Sequence, residues 1–323
     1  MSTRWGILST ARINRLVVAG ARESDRVELL AVASRDRGRA EEHAREHGIE
    51  RAYGSYEELL ADGDVEAVYI SLPNSLHVEW SVRALEAGKH VLCEKPLGRR
   101  AADVERAFDA AERAGRLLSE AFMYRHNPQT HRLKELVDGG AVGRLRHVRA
   151  AFSFRLDDPA NVRLSAELEG GALMDVGCYC VSGSRLVAGE PERVAAEQVV
   201  GPSGVDVHLA GTMRFPGDVL AQFDCGLAYA GRDELEVVGE EGSLFLDDPW
   251  HCRTPVIELR REEEVEEIRL EPEDSYRLEL ENVGDAIAGR GALLLGREDA
   301  VAQARAIEAL YRSAEEGRAV DLG

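Results

Sequence analysis

Lysine is nearly absent from this chain of 323 residues: it occurs three times, at Lys89, Lys95 and Lys134, against thirty-seven arginines. Positive charge is scarce overall, since 40 lysines and arginines face 59 aspartates and glutamates and leave a net charge of −19. This excess of negative charge argues against nucleic acid and anionic membranes as partners. An anionic cofactor would therefore need positive charge placed locally, so the arginines near loop ends matter more than the total.

Long apolar runs and an N-terminal targeting signal are missing too. No stretch is apolar enough to span a membrane, and residues 1–4 lead straight into a short strand, which predicts no signal peptide. The five cysteines are odd in number and lack the spacing of a metal site, so we expect free thiols in a reducing cytoplasm. The length and the hydrophobic content of 44% indicate a globular protein of two domains.

The order of the predicted elements indicates the fold class. The first 120 residues alternate short apolar strands with amphipathic helices, which predicts an α/β domain with a doubly wound parallel sheet. After a boundary near residues 121–128, strands follow one another without intervening helices, which favours an antiparallel sheet. We therefore expect a dinucleotide-binding (Rossmann) domain at residues 1–123 and a second, α+β domain with a mainly antiparallel sheet at residues 124–323. The strands of the first domain are predicted at Arg4–Leu8, Val27–Ala33, Ala67–Ile70, His90–Cys93 and Leu117–Ser119.

Lys95 stands at the end of a predicted strand, in the tripeptide Glu94-Lys95-Pro96. Ligands of open parallel sheets bind in the crevice at the carboxyl ends of the strands. A chain that uses arginine elsewhere and lysine here indicates a cation that can lose its proton, which arginine cannot do. A surface lysine followed by a turn proline is the alternative interpretation of the tripeptide.

The loop after the first strand, Ser9-Thr10-Ala11-Arg12-Ile13-Asn14, lies where dinucleotide folds carry G-x-G-x-x-G. Ser9, Ala11 and Asn14 replace the three glycines, so the match to the motif is poor. Serine and alanine are still small enough to admit a pyrophosphate to the helix N-terminus, where backbone N–H groups favour an anion. Arg12 adds a positive charge. We expect Ser9, Thr10, Ala11, Arg12 and Ile13 to bind the cofactor.

The end of the second strand bears on the choice of cofactor. An acidic residue at this tip binds the ribose 2′-hydroxyl of NAD, whereas arginine favours the 2′-phosphate of NADP. Ser34 and Arg35 occupy the tip, and Asp36 comes later. We therefore predict NADP, with NAD as the alternative if Arg35 simply begins the next helix.

Three further patterns could belong to functional sites. His43-Ala44-Arg45-Glu46-His47 matches the H-x-x-E-H zinc motif, but it lies on a helix charged nearly all round, and we predict no metal there. The third strand ends in a polar turn, Ser71–His77. In the second half, Asp175 and Tyr179 are four residues apart and hence on one helix face, a spacing that by itself is also typical of an ordinary helix surface.

Taken in order, these segments resemble the glucose–fructose oxidoreductase/inositol dehydrogenase (Gfo/Idh/MocA) family over essentially the whole chain. The segments that carry the resemblance are Gly6–Ile13, Pro73–His77, Glu94–Pro96 and Asp175–Tyr179. Within that family the chain is most similar to the NADP-dependent D-xylose 1-dehydrogenases and the trans-dihydrodiol dehydrogenases. That closer similarity depends on Glu120–Arg125, Phe154–Pro159 and Tyr179, where many relatives have histidine.

The resemblance implies hydride transfer between nicotinamide and a substrate carbon, with Lys95 and Tyr179 as the catalytic pair and Asp175 as an orienting carboxylate. Tyrosine titrates near pH ~10, and a nearby ammonium favours its phenolate. Which of the two touches the substrate oxygen stays open. We further expect cofactor contacts at Leu72, Pro73, Asn74, His77, Glu94 and Lys95, and substrate contacts at Lys95, Tyr124, Arg125, Phe154, Asn161, Asp175 and Tyr179. Hinge packing is the alternative for Tyr124 and Arg125, and a solvent loop for Asn161.

Three functions stay open. We favour an NADP-dependent dehydrogenase of carbohydrate metabolism that oxidises an aldose such as D-xylose at C1 to the lactone. The second is a trans-dihydrodiol dehydrogenase or another small-polyol or keto-sugar reductase. The third is a non-catalytic NADP-binding sensor, against which the joint presence of Lys95 and Tyr179 argues. The resemblance also implies that the second domain binds substrate and presents an open sheet face that forms a homodimer or homotetramer.

Overall fold

The computed structural model describes residues 2–322, which fold as two units. The first unit extends to Gly98 and also includes Ala102–His126 and Asp274–Val301. The second unit comprises Arg99–Ala101, Asn127–Glu273 and the described residues from Ala302 onward. The chain therefore returns to its first unit after completing most of the second.

The first unit is built on a six-stranded sheet in which every paired strand is parallel, with the order β3-β2-β1-β4-β5-β6. Its strands are β1 (Thr3–Leu8), β2 (Val27–Ala33), β3 (Arg51–Tyr53), β4 (Ala67–Ile70), β5 (His90–Glu94) and β6 (Leu118–Ala121). The predicted doubly wound parallel sheet is confirmed. The sequence did not predict β3, because three residues with an arginine among them give no apolar run.

Helices connect these strands. They are α1 (Asn14–Arg22), α2 (Arg37–His47), α3 (Tyr56–Leu60), α4 (His77–Glu86) and α5 (Ala101–Ala114). β1 and β4 are neighbours at the point where the strand order reverses, which is where open α/β sheets bind ligands. The carboxyl ends of these two strands therefore mark the expected ligand-binding crevice.

A helix from the late part of the chain completes the core of the first unit. Leu280 and Val283 of α8 (Ser275–Ile287) are 0% and 1% exposed, and they pack in one apolar cluster with Trp5, Val17 and Leu92. Burial of such side chains contributes roughly 1.5–3 kcal/mol each. The returning segment is thus an integral part of this core.

The second unit is built on a nine-stranded sheet with the order β14-β13-β12-β11-β7-β10-β9-β8-β15. Only the β7–β10 pair is parallel among the described pairs, so the predicted mainly antiparallel sheet is confirmed. The strands are β7 (Leu145–Arg155), β8 (Arg193–Val200), β9 (Asp206–Phe215), β10 (Val219–Gly226), β11 (Ala228–Gly239), β12 (Ser243–Leu246), β13 (Val256–Arg261), β14 (Glu264–Arg269) and β15 (Val320–Asp321).

Three helices accompany this sheet: α6 (Pro128–Asp138), α7 (Cys178–Ala188) and the C-terminal part of α9 (Arg297–Glu316). A π-helical segment, Leu173–Gly177, leads directly into α7. Single turns of π-helix occur often at functional sites. Asp175 lies inside this segment.

No helix in residues 2–322 combines the length and the apolar character that a membrane span requires. All five cysteines are buried and none of them forms a disulfide.

Candidate active site

The loop after β1 is organised by a buried polar network. Ser9 has a φ of 138°, a conformation that favours glycine, and its hydroxyl lies 2.8 Å from that of Ser71 and accepts the N–H of Ala11 at 3.0 Å. Asn14 donates to the Ser9 carbonyl at 2.9 Å and accepts from the Ser71 hydroxyl at 2.7 Å. These bonds join the ends of β1 and β4. Side-chain hydrogen bonds thus fix a turn that dinucleotide folds commonly build with glycine.

The N-terminus of α1 fits the pyrophosphate of a dinucleotide. Within residues 2–322, the backbone N–H groups of Thr10, Arg12 and Ile13 donate to no protein acceptor, and the Arg12 side chain is exposed. Unused N–H groups at a helix start, next to a cation and small side chains, form an anion site. This is the loop that we predicted to bind the cofactor; Ser71 and Asn14 complete it, and sequence reasoning did not assign them a role.

The tip of β2 offers a cation, and the nearby carboxylate caps the next helix. Ser34 is buried, whereas Arg35 is exposed. Burial raises the pKa of Tyr56, against the positive charge of Arg35, which lowers it. Asp36 caps α2, because its side chain accepts the N–H of Arg39 at 3.1 Å. The carboxylate that would bind a ribose 2′-hydroxyl is therefore engaged in capping the helix.

A second loop, Leu72–His77, is tied to the Lys95 loop by one buried imidazole. Nδ1 of His77 lies 2.8 Å from the carbonyl oxygen of Pro96, and Nε2 lies 2.7 Å from that of Leu72. Burial lowers the pKa of His77, against the two carbonyl contacts, which raise it. Between these anchors, Pro73 precedes a short 3₁₀ turn that begins at Asn74. The predicted residues His77 and Leu72 are thus brought together with the loop that carries Lys95.

The Lys95 loop follows β5 and is fixed at three further points. The backbone N–H of Lys95 donates to Oε2 of Glu94 at 3.2 Å, and the hydroxyl of Tyr69 donates to Oε1 of Glu94. Glu120, at the end of β6, accepts the N–H of Leu97 at 2.7 Å. The Lys95–Pro96 peptide bond is cis. Lys95 is therefore held at the carboxyl end of β5, next to β4.

Sequence reasoning missed the roles of Tyr69 and Glu120. A tyrosine and a glutamate inside otherwise apolar strands were the available signal, since buried polar groups nearly always have a specific partner. Tyr124 and Arg125 follow β6: Tyr124 is 1% exposed and packs edge-on against Phe122, and Arg125 pairs with Asp299 at 3.4 Å. Their assignment to the substrate stays a prediction.

In the second unit, three of the predicted substrate residues lie around Arg163. Nε of Arg163 donates to Oδ2 of Asp175 at 2.7 Å, and its guanidinium lies 6.0 Å from the ring centre of Phe154. Asn161 accepts the N–H of Arg163 at 3.1 Å and so fixes the start of this turn. Asp175, Phe154 and Asn161 are thus brought together, and the carboxylate of Asp175 is oriented by a cation.

Tyr179 lies in the first turn of α7, against an aromatic wall. Its ring is 5.4 Å from that of Phe152 and 6.0 Å from that of Trp250, and the residue is 6% exposed. The imidazole of His251 packs on Phe152 in turn, at 5.4 Å. Rings packed in this way help to hold the orientation of Tyr179.

Asp206 fixes the start of the π-helical segment. It is 3% exposed and accepts the N–H of Leu173 at 2.7 Å and the hydroxyl of Tyr311 at 2.8 Å. Gly171, with a φ of 126°, approaches so closely that a Cβ there would lie 2.1 Å from Oδ1 of Asp206. Burial raises the pKa of Asp206, against the two hydrogen bonds, which lower it. No pattern around Asp206 predicted that this strand residue supports the helix of Asp175.

Two clusters bring three metal-type ligands within 4.8 Å of one another among the described residues: His43, Glu46 and His47 on α2, and Asp233, Asp248 and His251 in the second unit. In the second cluster the carboxylates already accept protein donors, since Asp233 accepts from Trp250 and His251, and Asp248 accepts from Arg253 and Thr254. The absence of a metal stays a prediction at both places.

Together, a doubly wound parallel sheet, an anion-binding helix start at its switch point and a lysine fixed at an adjacent strand end define a dinucleotide-dependent oxidoreductase. Comparison with known proteins agrees. Residues 3–122 match the family described as "Oxidoreductase family, NAD-binding Rossmann fold", and residues 130–245 match its "GFO/IDH/MocA C-terminal domain". The chain belongs to the GFO/IDH/MocA family and is an NAD(P)-dependent oxidoreductase, as the resemblance implied.

Two curated relatives are similar to most of this chain. The D-xylose 1-dehydrogenase (NADP(+)) 2 of Haloferax volcanii is 41% identical over 98% of this chain and 99% of its own length. A trans-1,2-dihydrobenzene-1,2-diol dehydrogenase of Oryctolagus cuniculus is 39% identical over 79% of this chain and 77% of its own. Among solved structures, the 3-ketoreductase KijD10 of Actinomadura kijaniata, in complex with NADP and TDP-benzene, superposes with a TM-score of 0.92 at 31% identity, covering 97% of this chain and 98% of that one.

Proposed function

We propose that this enzyme oxidises the C1 hydroxyl of an aldose such as D-xylose to the lactone, with NADP as the oxidant. The observation that carries the catalytic part is the Lys95 loop, which three side chains fix at the end of β5: His77, Glu94 and Glu120. The sugar is supported by the full-length similarity to an enzyme named D-xylose 1-dehydrogenase.

Oxidation of a hemiacetal removes a hydride from carbon and a proton from oxygen, which leaves the carbonyl of the lactone. NADP, when bound, supplies nicotinamide C4 as the hydride acceptor. We assign the proton to Lys95 and Tyr179, the catalytic pair that the family resemblance implies. An ammonium near the phenol would favour phenolate and let the pair relay a proton. Asp175, oriented by Arg163, would bind sugar hydroxyls, since a carboxylate accepts hydrogen bonds from them.

Preference for NADP follows from the tip of β2. The exposed Arg35 would bind the 2′-phosphate, and the capping bond occupies one oxygen of the Asp36 carboxylate, which in an NAD site would bind the ribose hydroxyl. Contacts of the pyrophosphate with Ser9, Thr10 and Ala11 would be the same for NAD and NADP, so the discrimination depends on this tip.

Replacing Arg35 by glutamate should raise the KM for NADP by about 10- to 100-fold, because a charge-assisted bond is lost and an anion is set against a phosphate. The KM for NAD should stay within about threefold. Initial rates with both cofactors check this, with Arg39→Glu, an exposed change in the first turn of α2, as the matched control. Equal effects of the two variants would refute the role of Arg35.

The substrate assignment is tested by initial rates of NADP and NAD reduction with D-xylose, D-glucose, L-arabinose, myo-inositol and a trans-dihydrodiol. Turnover with a pentose and NADP supports the proposal. Preference for the dihydrodiol moves the assignment to the second function, which the 39% identical relative favours. Tight NADP binding without turnover in either direction would favour the third function, a non-catalytic NADP-binding sensor.

We also propose that the second unit forms a homodimer or homotetramer through the open face of its sheet. This face presents exposed Val199 and Leu220, 56% and 49% accessible, and a cavity of about 760 Å³ lined by small residues such as Ala210 and by charged ones such as Arg149 and Glu236. Light scattering of the purified protein tests the assembly, and a monomer at micromolar concentration contradicts it. The buried cysteines, none in a disulfide, fit the reducing cytoplasm that we propose as the compartment.

A further inference from the structure

Glu279, on α8, is a fully buried acid whose two carboxylate oxygens have no hydrogen-bond partner among the described residues. Buried polar atoms without partners are rare in folded proteins, and an isolated buried carboxylate is costly. In the sequence, Glu279 is only one of three acids in a helix. The protonation state of Glu279 therefore depends on the groups that surround it.

The surroundings of Glu279 hold acids and phenols. Glu94 from the end of β5 and Asp274 from the start of α8 act on it, and Tyr69 and Tyr276 lie within reach of its charge. Burial raises the pKa of Glu279 well above its ordinary value, and the negative charges of Glu94 and Asp274 raise it further. A carboxylic acid in such a place keeps its proton.

Glu94 and Glu279 differ in what they bond. Glu94 accepts the hydroxyl of Tyr69 and the backbone N–H of Lys95, two donors that stabilise an anion. Within residues 2–322, Glu279 has no such donor. Since a fully buried carboxylate that faces a second, half-buried carboxylate does not ionise readily, the negative charge belongs to Glu94 and the proton to Glu279.

We propose that Glu279 is a positioning residue for Lys95. Because Glu279 is a neutral acid, Glu94 is the only ionised member of this pair of carboxyl groups. The ionised Glu94 then holds the loop that carries Lys95. Ionisation of Glu279 at alkaline pH sets a second anion against Glu94 and loosens that loop. The inference rests on the role proposed for Lys95.

Glu279→Gln keeps the shape of the side chain and its neutrality, so it separates charge from packing. At neutral pH its kcat should lie within about twofold of the wild type. The wild-type kcat should fall as the pH rises into the alkaline range, and in the variant this fall should move to higher pH. A purely structural role would not shift the pH profile.

Stability gives a second reading. An acid whose pKa is raised on folding binds its proton in the folded state and releases it on unfolding, so it lowers stability as pH rises above the unfolded value near ~4.3. Glu279→Gln removes this loss. Its melting temperature should exceed that of the wild type by about 2–4 °C at pH 8 and match it near pH 4. Scanning calorimetry at both pH values measures the difference.

Glu281→Gln is the matched control on the same helix. Glu281 is also buried, but it accepts the hydroxyl of Ser24 at 2.7 Å and pairs with Arg26. Its replacement should lower the melting temperature at pH 8 and leave the alkaline fall of kcat in place. A Glu279→Gln enzyme with this same behaviour would overturn the proposal.

Infrared spectroscopy tests the proton without any turnover. The wild type at pH 8 should show the carbonyl band of a buried protonated carboxyl group, and Glu279→Gln should lack it. If the band is absent from the wild type, the inference is wrong, whether or not Glu279→Gln folds. If the band is present but no sugar is oxidised, the charge assignment stands and the proposed function fails.

Discussion

An enzyme in which Lys95 is replaced by methionine should lose about 10²- to 10⁴-fold in kcat, the usual contribution of a positioned acid–base group, and still bind NADP. The described bonds that fix this loop use the N–H groups of Lys95 and Leu97 and the carbonyl of Pro96, so they do not require the ammonium group. Methionine keeps the unbranched stem and removes the charge. Initial rates with the best sugar, together with titration of NADP by fluorescence, separate turnover from binding.

Lys134→Met is the matched control, because Lys134 lies on α6 in an exposed pair with Asp138. An exposed pair of this kind contributes about 0–1 kcal/mol, so the control should keep its rate and its stability. Weakened NADP binding with a retained rate in Lys95→Met would show that the lysine serves the cofactor and does not serve proton transfer.

Tyr179→Phe should lower kcat by about 10²- to 10³-fold with little change in melting temperature. Phenylalanine keeps the ring contacts with Phe152 and Trp250, at 5.4 Å and 6.0 Å, and removes only the hydroxyl. The loss should appear in kcat more than in KM, because the hydroxyl is assigned to the transition state and the ring to packing.

Tyr229→Phe makes the same change elsewhere in the second unit, where the hydroxyl donates to Asp224 at 3.0 Å. It should leave kcat within about twofold. A normal rate in Tyr179→Phe would assign proton transfer to Lys95 without the tyrosine, and equal losses in the two variants would indicate a general effect on the second unit.

The parallel sheet could be predicted because its strands are buried on both faces and appear in the sequence as apolar runs. β4 was predicted with its observed bounds, and β5 extends only one residue further. β3 is too short and too polar to give that signal. The return of α8 to the first unit follows from tertiary packing of Leu280 and Val283. An amphipathic pattern predicts that a helix buries one face, but it does not identify the part of the protein against which that face packs.

The candidate site was predictable where chemistry follows directly on a strand end, as at Lys95 and Ser9. It was not predictable where support comes from remote residues. Tyr69, Glu120 and Asp206 lie in strands, and their hydrogen-bond partners are distant in the sequence. The spacing of Asp175 and Tyr179 was interpreted on a regular α-helix, whereas Asp175 lies in a π-helical turn, which contains more residues per turn.

The return of Asp274–Val301 to the first unit also sets the order in which the protein can mature on the ribosome. The residues up to His126 emerge first, but their core lacks Leu280 and Val283 until nearly the whole chain has been synthesised. Domains usually fold as units, from the N-terminus onward, during translation. Here the N-terminal unit must wait with an apolar surface exposed while the antiparallel sheet is made. Nascent chains that stall before α8 are therefore the species on which chaperones would act.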